Sequence, residues 1–476
     1  MKLYHLTAAV LTAALLAGCA PWSVCERPLL GSGANSEAAS GDSAYIRSNG
    51  KTCPKYGCSF IEFDGKGGFL DYPQLQHAED VLKERAASSD VLLVIYCHGW
   101  NNNAESGDVI QFVSFLRRLA IAKAAEKRNV RVEGVYLSWR GSQYVPVLGQ
   151  KAQMSDPGLY ADFNQQDLDN PKWSTPPFPG DALYPLEFAS YFSIKDRAEH
   201  NVATPEFARA LFDLAFTLKS PEQAALGRHH YVFVLGHSFG ALLLEQSLGS
   251  SSVGLLASQW STSGNQQDRW PFDLVVFLNS AAPSLYAKQL QDCLTDDRRS
   301  TFKPRIVSIT STGDWATGTI HEIGNLGNRY FAADLQRQYH PYGSGNHPVT
   351  AGYYYDFTPG HNKYLINGCI YKDKSPVPPN IGTHFNDVFT YNLINAGPKG
   401  TFYATSVRDG EIYGFGLSPA AAYMPSNYWI LTLPPEIIPW HTQIWSPSSM
   451  EMLAGIFSIV QSIPPGQKAY VNPYKN

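Results

Sequence analysis

The sequence predicts an α/β fold with a mostly parallel central sheet flanked by helices. Short apolar runs typical of buried strands alternate with longer segments whose apolar residues recur at helical spacing. Such alternation favours parallel strands with helices on both faces of the sheet. One junction is especially regular, because the apolar run 231–235 leads through Gly-His-Ser-Phe-Gly at 236–240 into a helix-forming run at 241–248.

Each predicted element follows from a short apolar run or an amphipathic segment. Residues rich in β-branched and aromatic side chains predict six strands, at 59–63, 91–97, 130–139, 231–235, 274–278 and 306–309. Helical spacing predicts helices at 109–127 and 205–218, and a third directly after Ser238. Farther on, residues 427–433 are strand-like and residues 449–460 are helix-like. With 44% hydrophobic and 16% charged residues, the chain can bury one large core.

Two large loop-rich insertions interrupt this rhythm. Residues 143–192 are rich in Pro, Tyr, Phe and Trp, and residues 320–425 mix aromatic residues with Gly, Pro and Asn. Loops of this length are usually lids or small subdomains, although plain surface is the alternative. Their aromatic content suits an apolar acyl or aryl substrate. The predicted division is a signal peptide (1–18), a tether and spacer (19–58), two core segments (59–142 and 193–319) separated by the first insertion, the second insertion, and a terminal segment (426–476).

The N-terminus has the pattern of a signal peptide. Lys2 precedes an apolar run at 6–17 that is too short to span a bilayer as a stable helix. The following Leu-Ala-Gly-Cys at 16–19 resembles the lipobox of bacterial lipoproteins. That resemblance implies cleavage before Cys19, acylation of Cys19 and a lipid-anchored protein of the cell envelope. Ala20 would favour the outer membrane in a host with two membranes, and an ordinary secretory signal with an incidental cysteine is the alternative.

Charge and cysteine content narrow the partners and the compartment. A net charge of −4 on 476 residues gives no basic stripe for nucleic acid. Six cysteines remain besides Cys19, an even number that suits an oxidising compartment. Cys53 and Cys58 are the easiest local pair, and Cys293 with Cys369 is a second pairing that the sequence leaves open. Cys97 lies in an apolar strand, where a buried free thiol is equally compatible with the sequence.

The turn at 236–240 has the pattern of a nucleophile elbow. Gly-x-Ser-x-Gly between a strand and a helix holds the serine in a strained conformation and exposes its hydroxyl above the sheet. A chance occurrence of two glycines around a serine is the alternative, but the strand-to-helix context is far less common. Ser238 is therefore the candidate nucleophile of a serine hydrolase.

A second motif follows the predicted strand at 91–97. There His98-Gly99-Trp100 can turn backbone N–H groups toward a cavity. The expected oxyanion-hole donors are the main-chain N–H of Trp100 and that of Phe239, the residue after the nucleophile. A plain turn at the end of the strand is the alternative.

With these motifs the chain resembles an α/β-hydrolase of the lipase and esterase type, and more narrowly the bacterial hydrolases with a His-Gly-Trp oxyanion motif. The matching segments are Phe-Ile-Glu-Phe-Asp at 60–64, the His-Gly-Trp motif at 98–100, Lys-Asp-Arg-Ala-Glu at 195–199 and the elbow at 236–240. The tether and both insertions lie outside the resemblance. It implies an α/β-hydrolase fold in which the catalytic acid follows a strand after the elbow and the histidine comes last.

The candidate acid is Asp314. Residues 304–312 are strand-like and lead into Gly-Asp-Trp, so Asp314 is expected at the carboxyl edge of the sheet, where ligands bind in open α/β sheets. The competing Asp292, Asp296 and Asp297 lie in a polar segment and are more simply solvated surface.

The candidate histidine is His441. It lies between the predicted strand at 427–433 and the predicted helix at 449–460, where the fold places this residue. His384 is the runner-up. Relatives often have glycine before the histidine, whereas Trp440 stands here, so the loop can run differently. The other histidines after Asp314 have the character of polar loop residues and no ligand spacing for a metal: His321, His340, His347 and His361.

These residues predict a serine hydrolase that cleaves carboxylic esters through Ser238, His441 and Asp314 and an acyl-enzyme. The substrate would be a small-molecule ester or a lipid, and the chemistry requires no cofactor and no metal. Phospholipase, amidase and acyltransferase action remain open. The alternative is a catalytically silent lipoprotein that uses the fold to bind a ligand or an envelope partner.

Overall fold

The structure is a computed structural model. It describes residues 25, 27, 45–47, 56–100, 102–104, 106–125, 129–141, 191, 193–249, 270–282, 286, 290, 305–311, 313, 314, 316, 368–373, 390–392, 403–408, 411–417, 428–433, 435 and 437–462. The signal peptide with Cys19 and nearly all of the first insertion lie outside these residues. Of the second insertion, only the backbone of four strands is described.

Among the described residues, twelve strands form one sheet. The strands are β1 (Tyr45–Arg47), β2 (Tyr56–Phe63), β3 (Asp90–Cys97), β4 (Val130–Trp139), β5 (Tyr231–His237), β6 (Leu274–Leu278), β7 (Ile306–Ser311), β8 (Gly368–Asp373), β9 (Thr390–Asn392), β10 (Tyr403–Arg408), β11 (Glu411–Leu417) and β12 (Tyr428–Leu433).

The helices that the structure describes are α1 (Pro73–Ser88), α2 (Gly107–Ala125), α3 (Pro205–Lys219), α4 (Pro221–Ala225), α5 (Phe239–Gly249) and α6 (Pro447–Ser462). A π-helix (Arg197–Val202) precedes α3. Thr204 and Ser220 cap the amino ends of α3 and α4 by accepting backbone N–H groups of Phe207 and Gln223. In the part of the chain that is described, no helix is long and apolar enough to cross a membrane.

The centre of the sheet is parallel. Its order is β2-β4-β3-β5-β6-β7, and β12 continues the parallel pairing beside β7. β8 pairs in parallel with β12, whereas β1 at one edge and β9, β10 and β11 at the other pair antiparallel. The prediction of an α/β fold with a mostly parallel sheet and flanking helices is therefore confirmed.

Helices cover both faces of the sheet because the central strands are apolar on both sides. In β3, Val91, Leu93 and Ile95 belong to a cluster with residues of α1, α3 and α5. The alternate residues Leu92 and Val94 belong to a second cluster with residues of α2 and α6. This pattern is expected when a parallel strand is buried on both faces. Because helices cover both faces, a ligand site is expected in the loops that follow the carboxyl ends of the strands.

The region predicted as a spacer contributes to the folded body. Strand β1 pairs with β2, and β2 begins at Tyr56, three residues before the predicted strand. Arg27 is buried, and its Nε donates a 2.7 Å hydrogen bond to the carbonyl oxygen of Ala104. Gly, Ser, Ala and Pro are frequent in this region, and the few residues that dock carry no local pattern.

Two cysteine predictions fall on described residues. The local Cys53–Cys58 pairing is wrong, because Cys58 carries a free thiol inside β2 that is fully buried among residues of the second core cluster. Burial raises the pKa of this thiol. Cys97 is also a free, fully buried thiol. Cys53, Cys293 and the side chain of Cys369 lie outside the described residues.

Candidate active site

Ser238 occupies the sharp turn between β5 and α5. Its φ angle is 55°, in the left-handed region that residues other than glycine rarely adopt. The turn is held by its own backbone: the Ser238 N–H donates to the carbonyl oxygen of Leu278 at 3.0 Å, and the Ser238 carbonyl accepts from the N–H of Ala281 at 3.2 Å. Leu278 at the end of β6 and Ala281 shortly after it thus hold the serine in its strained conformation.

Both glycines of the turn are required by close approaches. A Cβ atom on Gly240 would lie 2.2 Å from the carbonyl oxygen of Cys97, at the end of β3. A Cβ atom on Gly236 would lie 2.7 Å from the Cα atom of Ala241, at the start of α5. Real Cβ atoms do not come this close to backbone, so the Gly-x-Ser-x-Gly pattern follows from packing around the turn.

The structure brings Ser238, His441 and Asp314 together from three strand ends. His441 Nε2 lies 2.6 Å from Ser238 Oγ, and His441 Nδ1 lies 2.8 Å from Asp314 Oδ2. The Asp314 side chain is fully buried, whereas that of His441 is 13% exposed. A carboxylate accepts from Nδ1–H, which leaves Nε2 of a neutral imidazole to accept the serine hydroxyl proton. This arrangement can increase the nucleophilicity of the serine oxygen.

The loops that carry His441 and Asp314 pack against each other. Asp314 follows β7, where its N–H donates to the carbonyl oxygen of Ser311 at 3.1 Å. His441 lies between β12 and α6, the position expected from the sequence. A Cβ atom on Gly313 would lie 2.5 Å from the carbonyl oxygen of Pro439. Trp440 stands where relatives often have glycine before the histidine. It is 41% exposed, so its side chain causes no steric conflict at the contact between the two loops.

The two expected oxyanion donors belong to residues adjacent to the Ser238 turn: Phe239 follows Ser238, and Trp100 follows Gly99, which contacts it. Phe239 is the first residue of α5, so no residue of its own helix accepts its N–H. Trp100 follows Gly99, and a Cβ atom on Gly99 would come within 2.8 Å of Ser238 Cβ. The side chains of the two donors are joined by Tyr191, whose ring centroid lies 5.6 Å from that of Trp100 and 5.1 Å from that of Phe239. These three rings form an aromatic cluster in which Tyr191 and Phe239 are buried.

His98 is a structural member of the His-Gly-Trp motif. It is fully buried, its Nδ1 lies 2.9 Å from the carbonyl oxygen of Gly99, and its Nε2 accepts from the N–H of Trp139 at 3.1 Å. The indole of Trp139 returns a 2.9 Å hydrogen bond to the carbonyl oxygen of His98. Burial lowers the pKa of His98 to about 4, so the ring is neutral at pH 7 with its proton on Nδ1. His98 therefore anchors the turn before Trp100 to β4.

Sequence reasoning gave no role to two buried polar residues beside His441. His237, inside the elbow motif, donates from Nε2 to the carbonyl oxygen of His441 at 2.7 Å. Asn279 Nδ2 donates to the same oxygen at 3.3 Å. Asn279 could have been noticed, because it is a polar residue immediately after a buried strand at the carboxyl edge. His237 carries no such signal, since the Gly-x-Ser-x-Gly motif leaves the residue before serine unspecified.

A polar cluster centred on Glu199 lies near Tyr191. Glu199 in the π-helix accepts from Lys195 Nζ at 3.1 Å and from the hydroxyl of Tyr286 at 2.7 Å. Burial first, and then the charges of Glu199 and Asp314, raise the pKa of Tyr191. The segment 195–199, one of those that resemble α/β-hydrolases, thus lies near Tyr191. None of its described hydrogen bonds is to Ser238.

Several predicted candidates lie outside the described residues. They are the runner-up His384, the four other loop histidines His321, His340, His347 and His361, and the competing acids Asp292, Asp296 and Asp297. Within the described ranges, no three His, Cys, Asp or Glu side chains lie close enough together to hold a metal ion.

Comparison with known proteins adds no identification. No family model matches the chain, and neither a curated protein nor a solved structure resembles it significantly. The functional conclusion therefore depends on the geometry of Ser238, His441 and Asp314.

Proposed function

We propose that this protein is a serine hydrolase that cleaves carboxylic esters and belongs to the α/β-hydrolase superfamily. The observation that carries the proposal is the continuous series of hydrogen bonds from Ser238 Oγ through His441 to Asp314, at 2.6 Å and 2.8 Å. Supporting features are the strained φ of Ser238 on a strand-to-helix turn and the chain order serine, aspartate, histidine.

In the proposed reaction, His441 takes the proton of Ser238 as Oγ attacks the ester carbonyl carbon. Asp314 keeps the imidazole in the correct tautomer and stabilises the imidazolium. The carbonyl oxygen becomes an oxyanion that accepts from the N–H groups of Trp100 and Phe239, each worth about 3 kcal/mol of the barrier. The alcohol leaves with the proton from His441, and an acyl-enzyme on Ser238 remains.

Deacylation reverses these roles. A water molecule enters where the alcohol left, and His441 takes its proton as the oxygen attacks the acyl carbonyl. Collapse of the second tetrahedral intermediate returns the proton to Ser238 and releases the carboxylic acid. No cofactor takes part in either half of the cycle.

The substrate is proposed to carry an apolar acyl or aryl group. Trp100, Tyr191 and Phe239 form an aromatic cluster, and Trp100, which is only partly buried, directly follows the glycine that contacts Ser238. Aromatic surface of this kind binds apolar groups. This supports esterase or lipase action more than hydrolysis of a strongly charged substrate.

The test compares the wild-type protein with Ser238→Ala on a short p-nitrophenyl ester. We expect kcat to fall about 10⁴-fold or more while the circular dichroism spectrum is unchanged. Ser220→Ala, which changes only the cap of α4, is the control and should keep full activity. A fluorophosphonate probe should label the wild type and not Ser238→Ala. A folded wild type that neither hydrolyses the ester nor accepts the probe would favour the silent ligand-binding protein instead.

We also propose that the protein is anchored in the bacterial cell envelope through acyl chains on Cys19. The support is the lipobox-like sequence at 16–19. Growth with a labelled fatty acid should label the wild-type protein and leave Cys19→Ser unlabelled. Equal labelling of both proteins would exclude Cys19 as the acylated residue.

A further inference from the structure

The backbone carbonyl of His441 accepts two hydrogen bonds from buried side chains. His237 Nε2 lies 2.7 Å from this oxygen, and Asn279 Nδ2 lies 3.3 Å from it. The two donors come from different strands, His237 from the end of β5 and Asn279 from directly after β6. The main chain of the histidine is thus held separately from its ring, which contacts Ser238 and Asp314.

The protonation of His237 is determined by these contacts. A carbonyl oxygen only accepts, so Nε2 must carry the proton. His237 is 3% exposed, and burial, followed by the nearby His441, lowers its pKa to about 3. Its ring is therefore neutral at pH 7, and its buried Nδ1 has no hydrogen-bond partner among the residues that the structure describes. The residue is a single, oriented donor aimed at the loop of His441.

Asn279 is equally well fixed. It is fully buried with a φ of 45°, and its N–H donates to the carbonyl oxygen of Ile309 at 2.8 Å. Its Oδ1 accepts the N–H of Ser311 at 2.9 Å, which leaves Nδ2 for His441. The hydroxyl of Ser311 in turn donates to the carbonyl oxygen of Ile438 at 2.6 Å, in the same loop as His441. The ends of β5, β6 and β7 are therefore connected to this loop by side-chain hydrogen bonds.

Two hydrogen bonds link the same two short segments. His237 and Ser238 are consecutive, and they contact His441 through its carbonyl oxygen and through its ring Nε2 at 2.7 Å and 2.6 Å. The contact between Ser238 Oγ and the His441 ring alone would leave the main chain of His441 free to shift or rotate. One contact to the main chain and one to the ring together fix both the position and the orientation of the imidazole.

We infer that His237 and Asn279 are positioning residues that hold His441 within reach of Ser238 and Asp314 during turnover. This inference depends on the proposed hydrolase function and deepens it. His441 must exchange a proton with serine, alcohol and water in turn. A displacement of about 1 Å can lower such a rate about 10²-fold.

The test uses three variants and one matched control. His237→Leu removes the donor, and His237→Gln restores an N–H near the position of Nε2. Asn279→Gly removes the second donor, and glycine tolerates the positive φ. His230→Leu is the control, because His230 is also buried but lies before the opposite end of β5, where its Nδ1 accepts from the N–H of Val91 at 3.0 Å.

We expect His237→Leu to lower kcat on the p-nitrophenyl ester about 10²-fold and to change KM less than about threefold. The rate of fluorophosphonate labelling should fall by a similar factor. His237→Gln should recover most of the lost kcat. Asn279→Gly should lower kcat only about tenfold, because the hydrogen bond from Asn279 is longer than that from His237. In proton NMR spectra, the low-field signal of the proton between His441 and Asp314 should broaden or shift in His237→Leu and stay in place in His230→Leu.

The outcomes separate this inference from the function on which it rests. If the wild type is inactive, or if Ser238→Ala is as active as the wild type, the hydrolase proposal fails. If Ser238→Ala is inactive while folded His237→Leu and Asn279→Gly keep full kcat, only the positioning role is refuted. It is also refuted if His230→Leu lowers kcat as much as His237→Leu does, because general destabilisation then explains both. Should His237→Leu not fold, the kcat of His237→Gln and Asn279→Gly decides the question.

Discussion

Gly99 lies directly against Ser238. A Cβ atom on Gly99 would come within 2.8 Å of Ser238 Cβ and within 3.0 Å of both the carbonyl oxygen and Nδ1 of His237. The turn after β3 and the turn after β5 are therefore in backbone contact, and the glycine permits it. The contact keeps the proposed oxyanion donor of Trp100 at a fixed position relative to the nucleophile.

Substitution of Gly99 by alanine is expected to separate the two turns. The added methyl group must displace either Ser238 or the backbone before Trp100, so we expect kcat to fall about 10²-fold because oxyanion donor and nucleophile lose their alignment. Gly107→Ala is the control, since a Cβ atom there has open space, and it should keep full kcat. Steady-state kinetics of both variants measure the effect. Full activity of Gly99→Ala would show that the two turns can separate without consequence.

Asp314→Asn should disable the site without disturbing its shape. An amide that donates to Nδ1 of His441 would leave the ring proton on Nε2, which then cannot accept the proton of Ser238. In serine hydrolases with such an arrangement, this change lowers kcat about 10⁴-fold. The measurement is kcat on a p-nitrophenyl ester beside a thermal melt.

The control for Asp314→Asn is Asp273→Asn. Asp273 accepts from the N–H of Val232 at 2.7 Å and pairs with Lys219 at 2.8 Å, at the amino end of β6. Its loss should lower the melting temperature and leave kcat unchanged. An active Asp314→Asn enzyme would mean that another group orients His441.

The sequence allowed prediction of the parallel strands β2 to β7 and β12 and of the site residues that carry strong local patterns, whereas β1 and the four strands β8 to β11, in the region predicted as loop-rich, were not predicted. Apolar runs locate the central strands because a parallel sheet buries both faces, and the turn around Ser238 is dictated by backbone crowding at its two glycines. Asp314 and His441 follow from their positions after late strands, and the structure places His441 beside Ser238 and Asp314 beside His441.

The remaining elements depend on tertiary contacts that have no local pattern. Helix α1 presents Leu75, Ala78, Leu82 and Ala86 to the core between charged residues, a stripe too weak to stand out in the sequence. The role of His237 depends on a carbonyl about 200 positions away in the chain. No property of the elbow motif itself indicates such a partner.

The docked N-terminal segment yields a further prediction. Arg27 Nε donates to the carbonyl oxygen of Ala104, and its guanidinium carbon lies 4.2 Å from the centroid of the Phe60 ring. Arg27→Ala removes this charge-assisted hydrogen bond and the contact with the Phe60 ring, which should lower the free energy of unfolding by about 2 kcal/mol. Because Ala104 lies in the loop that carries Trp100, kcat should also fall. Urea denaturation and steady-state kinetics measure the two effects.

The control for Arg27→Ala is Arg209→Ala. Arg209 is 56% exposed and pairs with Asp213 on the surface of α3, so its loss should change the stability by about 0.5 kcal/mol or less. Equal effects of the two substitutions would mean that residues 20–58 act only as a spacer.

The stability of the protein should fall as the pH decreases below about 6.5. Burial lowers the pKa of His98 to about 4, whereas in the unfolded chain it is 6.5. Between these values the unfolded state binds more protons than the folded state, so the free energy of unfolding rises as the pH rises from about 4 to 6.5. It decreases by the same amount when the pH is lowered through this window. The shift corresponds to about 3 kcal/mol for His98 alone. Urea midpoints at pH 7, 6 and 5 should therefore decrease, and the decrease should be smaller in His98→Gln, which does not titrate. Equal pH dependence in both proteins would show that His98 is protonated as easily in the folded protein as in the unfolded one.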